Sequence, residues 1–258
     1  RRHILKLDSE NLFYVRRSKK DFIENKIPKK YGLENFKTYR INSNQNIYFK
    51  EYTTTIDINE NNKVIDIKVY SINERIIFIV DDFNEWKINY SNENLIRKYV
   101  KGSGIKGNFP SGCINFIDSN LKDLSITISN ADCPDALLFF RSKGTVLDVN
   151  IENTSFDALD SDFSDLKIDN VFVNKATQEC IGVKSGYYSF KRVTLKNCSD
   201  KAISAGELSI VSIDEANIEK SNIGIFAKES SNINIINYNF NDVKHCIGSV
   251  RGVENYLG

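Results

Sequence analysis

The chain has 258 residues, of which 41% are hydrophobic and 27% charged, with only three prolines, and this composition excludes an intrinsically disordered protein. No apolar run approaches the roughly 18 residues that a membrane-spanning helix needs, so no membrane span is expected. The net charge of +1 hides an uneven distribution, because residues 1–40 contain twelve Lys and Arg against five Asp and Glu.

Residues 1–40 form a basic N-terminal segment. Its densest run, Arg16-Arg17-Ser18-Lys19-Lys20, has no interleaved aromatic residues, so we predict a solvated basic face and no nucleic-acid partner. An acid, Asp8, interrupts the start before any apolar core of a secretory signal, and the chain contains no methionine, which is typical of a processed or trimmed sequence. These features therefore do not indicate the cellular compartment of the protein.

Residues 41–105 contain short apolar runs separated by polar turns, a pattern that predicts an antiparallel β region. We expect this sheet to cap the N-terminal end of the following domain, with a carbohydrate-binding module as the alternative. A glycine-rich junction, Gly102–Gly112, marks the passage into residues 106–258. The predicted strands are Asn46–Lys50, Tyr52–Ile58, Val64–Tyr70, Ile76–Val80 and Trp86–Tyr90.

Residues 106–258 repeat with a period near 22 residues. Small or aliphatic residues recur at 113, 136, 158, 181, 202, 224 and 247, and a second β-type segment follows each of them. Asparagine often closes that second segment, at Asn130, Asn153, Asn174 and Asn197, where it tolerates left-handed backbone geometry. A period of this length without helical signal predicts one coil of a parallel β-helix per repeat, with coils about 4.8 Å apart.

These repeats resemble those of the right-handed parallel β-helix proteins, the pectate-lyase-like superfamily that includes polygalacturonases and phage tailspikes. The resemblance implies an all-β fold, with a right-handed parallel β-helix of about six to seven coils preceded by a small antiparallel cap. It also implies a polysaccharide or other extended polymer as partner, and it favours an extracellular or cell-surface location. The oligomeric state stays open. The Gly-His-Gly turn and Arg-x-Lys segment of polygalacturonases and the Arg-x-Pro-x-x-Arg segment of pectate lyases are absent from the sequence.

Acidic residues recur at equivalent positions of neighbouring coils. Asp135 and Asp157 each precede a small aliphatic residue, so the repeat places them about 4.8 Å apart, with Lys201 two coils beyond Asp157. Asp160 and Asp162 lie two residues apart and would share one strand face, about 6.6 Å from each other. Carboxylates this close perturb one another's pKa, so Asp157, Asp160, Asp162 and Lys201 are the candidate catalytic residues.

Further residues near these positions are candidates for substrate binding. They are Asp135, Lys184, Tyr187, Tyr188, Glu207 and Lys228. The Tyr187-Tyr188 doublet must send one ring outward on an alternating strand, whereas Phe116, Phe139, Phe140, Phe163 and Phe226 are expected in the stacked core.

Three interpretations of the acidic residues remain open. Asp160 and Asp162 have a spacing that suits inverting glycoside hydrolysis. A lyase would instead use carboxylates to hold Ca²⁺ and a lysine of lowered pKa, Lys201 or Lys184, to remove a proton. The third interpretation is a non-catalytic scaffold, in which Asp135, Asp157 and Lys201 form a structural ladder. Apart from possible Ca²⁺ no cofactor is expected.

The five cysteines are odd in number and include no C-x-x-C pair, and the chain has only two histidines, so a zinc site is not expected. At least one thiol must be unpaired or must pair between chains. We expect Cys113, Cys180 and Cys246 to be buried as small hydrophobic residues in or beside the inward column.

Overall fold

The computed structural model describes residues 36–42, 44–49, 53–72, 74–93 and 110–250. Most of the basic segment 1–40 and most of the glycine-rich junction lie outside these ranges. The described residues form strands without any helix, and so contain no helix of the length and apolarity that a membrane crossing requires. The strands are β1 (Lys37–Asn42), β2 (Gln45–Phe49), β3 (Thr54–Asn59), β4 (Val64–Val69), β5 (Ile76–Val80), β6 (Phe83–Asn84), β7 (Lys87–Asn92), β8 (Gly112–Ile117), β9 (Asn120–Ser129), β10 (Asp135–Phe140), β11 (Lys143–Thr154), β12 (Asp157–Asp162), β13 (Asp165–Ala176), β14 (Ile181–Lys184), β15 (Tyr187–Gly206), β16 (Ile210–Lys228) and β17 (Asn232–Val250).

From β8 onward the chain winds as a β-solenoid. Each coil contains a short strand run and a long one, and each run pairs in parallel with the equivalent run of the next coil, as β10 pairs with β8 and β12. The whole solenoid has about eight turns with a period of about 22 residues, which confirms the all-β parallel β-helix predicted from the repeats.

The N-terminal region contains the predicted antiparallel strands, together with parallel pairings that the prediction did not include. β1 pairs with β2, β2 with β5, and β3 with β4 in antiparallel fashion. By contrast, β5 pairs in parallel with β8, and β7 pairs in parallel with both β4 and β9. Alternating apolar residues suit both kinds of sheet, so the sequence pattern could not separate them. Parallel stacking therefore begins before residue 106.

The core is a set of inward columns that run along the solenoid. Ala136, Ala158 and Ala202 are fully buried in it, as predicted. The register pairs Leu159 with Ile181 and Ile225 with Ile247, so Cys180 and Cys246 occupy the positions of the alanine column. The predicted positions 181 and 247 were therefore each wrong by one residue. Three phenylalanines stack in a neighbouring column, with ring centroids 4.9 Å apart from Phe78 to Phe116 and 5.4 Å apart from Phe116 to Phe139.

Each long run ends in a residue of left-handed backbone conformation. Asn130, Asn153 and Asn197 have φ of 58°, 56° and 56°, as the asparagine pattern predicted. In the coil between Asn153 and Asn197, the left-handed residue is Lys175, with φ of 71°. Asn174 instead accepts a 2.8 Å hydrogen bond at Oδ1 from Nδ2 of Asn197. Asparagine is preferred at this turn because its side chain tolerates the left-handed region.

A column of serine hydroxyls lines the turn between the short and long runs. Oγ of Ser142 accepts a hydrogen bond from the Ser119 amide at 3.2 Å, and Oγ of Ser164 accepts one from the Ser142 amide at 3.0 Å. In the next coil the position is Gly186, where an added Cβ would lie 2.0 Å from the Ser164 carbonyl oxygen. The hydroxyl of Tyr188 takes the place of the missing serine and accepts from the Ser164 amide at 3.3 Å.

Four of the cysteines form disulfides, Cys113 with Cys133 and Cys180 with Cys198. Cys113 and Cys180 are buried as expected, but Cys246 is exposed and carries a free thiol. Cys246 lies on β17, whose far side no other described strand covers, and the prediction that it is buried was therefore wrong. The two disulfides contradict the expectation that Cys113 and Cys180 act only as small hydrophobic core residues, because cysteines separated in sequence meet through the coil register.

Candidate functional site

The predicted acidic residues lie together on the outer face of the short strand runs. β12 supplies Asp157, Asp160 and Asp162, and Asp135 of β10 pairs in register with Asp157. Side chains alternate along a strand, so Ser161 points into the core while Asp160 and Asp162 point outward. We call Asp135, Asp157, Asp160 and Asp162, together with Lys184, the carboxylate cluster.

Lys184 is the cation of this cluster. It ends β14 beside Asp162, and its Nζ lies 3.2 Å from Oδ2 of Asp160 and 3.4 Å from Oδ1 of Asp162. The side chains of Asp160 and Asp162 are 14% and 22% exposed, so both ion pairs are partly shielded from solvent. One ammonium group therefore bridges two carboxyl groups of the neighbouring coil.

Burial raises the pKa of every carboxyl group in the cluster. Asp135 is 5% exposed, and desolvation, followed by repulsion from Asp160, raises its pKa to about 8. Desolvation likewise raises the pKa of Asp157 to about 7, although a 2.7 Å hydrogen bond from the Glu179 amide opposes the shift. The pKa of Asp162 rises to about 7 through desolvation and the charge of Asp160. At neutral pH the cluster therefore contains both protonated and ionised carboxyl groups.

The remaining two groups of the cluster, Asp160 and Lys184, shift each other's pKa through their contact. Desolvation raises the pKa of Asp160, but attraction and a hydrogen bond from Lys184 oppose that rise. Burial alone would lower the pKa of Lys184, yet the charges of Asp160 and Asp162 outweigh it and the net shift is upward. Lys184 is therefore a firmly charged ammonium group, contrary to the expectation of a lowered lysine pKa.

Sequence reasoning missed Glu179. The one-residue error at Cys180 concealed that Glu179 follows Asp157 by the same 22 residues that separate Asp157 from Asp135. Gly182, the register neighbour of Asp160, makes room for both acids, because an added Cβ would lie 3.0 Å from Oδ1 of Asp160 and 3.3 Å from Oε2 of Glu179. The constant 22-residue interval was the signal that could have found this residue.

Lys201 belongs to a separate ion-pair group one coil further. Its Nζ lies 2.9 Å from Oε1 of Glu179 and 2.5 Å from Oδ2 of Asp200. Burial would lower the pKa of Lys201, but hydrogen bonds to these two acids produce a net rise. The structure therefore pairs Lys184, and not Lys201, with Asp160 and Asp162.

The other residues predicted to bind substrate do not belong to the carboxylate cluster. Tyr187 is exposed, whereas Tyr188 is 3% exposed and belongs to the serine column, so Tyr188 offers no surface for sugar stacking. Lys228 extends over Gly206, where an added Cβ would lie 2.9 Å from Cε of Lys228, and so approaches the column of Asp162 and Lys184. Glu207 lies in the turn beside Ser185, whose Oγ donates a 2.8 Å hydrogen bond to the Glu207 carbonyl oxygen.

Among the described residues, one set of cysteine and carboxylate side chains has the mutual distances of a metal site: Cys113, Asp132 and Cys133. The two cysteines are joined in a disulfide, and a disulfide lacks the thiolates that bind metals. In the oxidised protein this group is therefore a structural bridge.

Comparison of the chain with protein-family models, with curated proteins and with solved structures finds no match. The β-solenoid architecture thus rests on the structure itself, and membership of the pectate-lyase-like superfamily stays a prediction.

Proposed function

We propose that the solenoid binds a polysaccharide on its outer face and hydrolyses glycosidic bonds at the carboxylate cluster. One observation carries this proposal: Asp162 is partly exposed, its pKa is raised to about 7, and it shares Lys184 with Asp160. Glycoside hydrolysis needs one protonated carboxyl group for the leaving oxygen and one ionised carboxylate near the anomeric carbon. In this proposal Asp162 is the acid and Asp160 is the ionised partner held by Lys184.

The distances favour direct attack by Asp160 over the inverting route that the strand spacing suggested. Because both carboxylates contact the same Nζ, at 3.2 and 3.4 Å, their facing oxygens lie no farther apart than these two contacts combined. That limit is at the lower end of the roughly 6.5–9.5 Å typical of inverting enzymes, whereas retaining enzymes use roughly 5–5.5 Å. Asp160 would bond to the anomeric carbon while Asp162 protonates the departing oxygen, and Asp162 would then deprotonate the water that releases the sugar.

The lyase alternative has less support. A lysine acts as a base only when it is neutral, and the pKa values of Lys184 and Lys201 are both raised by their acidic partners. The ammonium of Lys184 already contacts both Asp160 and Asp162, so Ca²⁺ would have to compete with that positive charge for the two carboxylates. Calcium is therefore a variable in the assay and not a part of the proposed mechanism.

A non-catalytic scaffold is the second candidate function. The observation that favours it is the pairing of Lys201 with both Glu179 and Asp200, the arrangement expected of a structural ladder along stacked coils. Under this alternative, Asp157→Asn and Lys201→Ala would lower the free energy of unfolding by about 1–3 kcal/mol through unpaired partners, with no activity to lose.

The test is a panel of glycans, assayed for new reducing ends and for the ultraviolet absorbance of lyase products, with and without calcium. The proposal expects reducing ends without absorbance, loss of turnover in Asp160→Asn and Asp162→Asn, and retention of anomeric configuration by NMR. Asp214→Asn, an exposed carboxylate on β16, is the matched control and should keep full activity. Turnover that survives in both cluster variants would contradict the proposal.

A further inference from the structure

Exposed apolar side chains line one corner of the solenoid beside the carboxylate cluster. Phe163, Tyr187, Leu208 and Ile210 are 42%, 64%, 54% and 47% exposed. They lie at the turn that follows the short run in three successive coils, because Asp165, Tyr187 and Ile210 are register neighbours on those coils. We call these four residues the apolar stripe. Apolar side chains grouped on a surface in this way mark contact sites more often than scattered ones do.

Two members of the stripe have a backbone conformation that their side chains disfavour. Phe163 has φ of 53° and Leu208 has φ of 63°, in the left-handed region where bulky residues are outliers. Other coils carry polar residues at the position of Phe163, such as Asp118 and Ser185, and the coil after Leu208 carries Ser230 at the position of Leu208. A large apolar group disfavours the left-handed conformation of the turn and here leaves much of its surface in water, so a function outside folding accounts for it better.

The stripe is continuous with the carboxylate cluster. Phe163 directly follows Asp162, and its ring meets the edge of Phe140 with centroids 5.8 Å apart. Phe140 is in turn the register neighbour of Asp162 on the preceding coil. A ligand bound along the stripe therefore has its reacting bond within reach of the acid that we assign to catalysis.

The spacing along the axis suits a sugar polymer. Phe163 and Leu208 are two coils apart, which corresponds to about 10 Å, comparable to the length of a disaccharide unit in an extended glycan. The flat ring of Phe163 matches the apolar C–H face of a pyranose. Charged groups of both signs lie beside the stripe. Asp165 accepts a hydrogen bond from the Tyr187 amide at 3.1 Å and Glu207 precedes Leu208, while Lys143 is the register neighbour of Asp165 and Lys228 extends over Gly206. These opposite charges give the stripe no cationic surface that would select an anionic glycan.

We propose that the apolar stripe is the subsite on which successive sugar rings of a glycan without carboxylate groups stack, with the glycan chain parallel to the solenoid axis. This inference rests on the proposed function, because it names the substrate class of the same site. It separates glycans of neutral sugars from the uronates that the lyase alternative requires.

The experiment measures binding and turnover separately in the full chain. The probes are cello-, xylo-, manno- and chito-oligosaccharides, with oligogalacturonides as the acidic set. Phe163→Asn and Leu208→Asn replace the apolar group by a residue that tolerates the left-handed region, and Tyr70→Ser is the control, an exposed tyrosine (54%) among the N-terminal strands. We expect each stripe variant to bind a neutral probe about tenfold more weakly with an equal or higher melting temperature, while Tyr70→Ser binds normally.

The outcomes distinguish the two proposals. Normal binding in the stripe variants, together with lost turnover in Asp160→Asn, would overturn the stripe and leave the hydrolase proposal standing. Weakened binding in the stripe variants without turnover of any probe by the unmodified protein would support the stripe and overturn the hydrolase. Tighter binding of oligogalacturonides than of neutral probes would overturn the assignment of substrate class. Self-association that the stripe variants abolish, without glycan binding, would overturn the inference in favour of a contact between copies of the chain.

Discussion

Replacement of Asp135 by asparagine tests the electrostatics of the carboxylate cluster most directly. The carboxyl group is 5% exposed and its pKa is raised from 3.8 to about 8, so it is mostly protonated in the folded protein at pH 7. In the unfolded chain the same group is ionised at pH 7. The folded state must therefore hold a proton that the unfolded state releases, and this difference favours unfolding.

The magnitude follows from the pKa difference. Between pH 3.8 and pH 7 the contribution of Asp135 to the free energy of unfolding falls by about 4 kcal/mol, at about 1.4 kcal/mol per pH unit. Asparagine does not titrate and so avoids this loss of stability. Its two N–H donors need partners, however, and this requirement reduces the gain by about 1–2 kcal/mol. We expect Asp135→Asn to be stabilised relative to the unmodified protein by about 2–3 kcal/mol at pH 7.

The sign of the pH dependence is the sharper prediction. At pH values below 3.8 both states carry the proton, so the contribution of Asp135 to stability is fully present there. It is lost as the pH rises from about 4 to about 8, because only the unfolded state gives up its proton in that window. The stability advantage of Asp135→Asn over the unmodified protein should accordingly grow with pH across this range.

Guanidinium unfolding at several pH values between 4 and 8 provides the measurement. The single tryptophan, Trp86, is buried and reports the N-terminal coils by fluorescence, while circular dichroism reports the whole solenoid. Asp214→Asn should change the free energy of unfolding by less than about 0.5 kcal/mol at each pH, as surface substitutions usually do. A difference between Asp135→Asn and the unmodified protein that stays constant from pH 4 to pH 8 would refute the reasoning.

Three further predictions concern the proposed catalytic residues, the serine column and the thiols. Asp160→Asn and Asp162→Asn should each abolish glycan turnover with an unchanged or higher melting temperature, because less carboxylate repulsion remains; a fall in melting temperature that explains the lost activity would argue for a structural role. Tyr188→Phe should lower the free energy of unfolding by about 1–3 kcal/mol, because the Ser164 amide loses its acceptor, and wild-type stability would exclude this contact. A thiol reagent should label Cys246 alone in the native oxidised protein, with four more thiols after reduction and denaturation, and rapid labelling of more than one native thiol would contradict the two disulfides.

Much of the site could be located from the sequence because a solenoid converts sequence distance into spatial distance. Once the period is near 22 residues, Asp135 and Asp157 must be neighbours, and the register confirms that pairing. Alternation along the strand likewise placed Asp160 and Asp162 on one face. The same logic failed at Glu179, because a one-residue slip in the repeat moves every side chain of a strand to the other face.

The sequence could not show which lysine pairs with Asp160 and Asp162. Lys184 and Lys201 both lie near the acidic columns, but the head group of a lysine is several bonds from its backbone, so its partner depends on neighbouring side chains and on free space. The glycine at position 182, the register neighbour of Asp160, leaves room on the outer face for the acidic side chains beside Lys184. Glu179 and Asp200 instead hold Lys201 in its own group.

The sequence by itself determined the solenoid, its period, its inward alanine column and the strand face that carries the acids, because each of these is a repeated signal that averages over many coils. Only the tertiary structure decided that β5 and β7 stack in parallel, that Cys246 is exposed while four other cysteines form disulfides, and that Phe163 leaves the core. It also decided which carboxyl groups are buried and so have raised pKa values. These properties depend on single contacts, on burial at one position and on distances of a few ångströms, and a periodic pattern carries no information about such local differences.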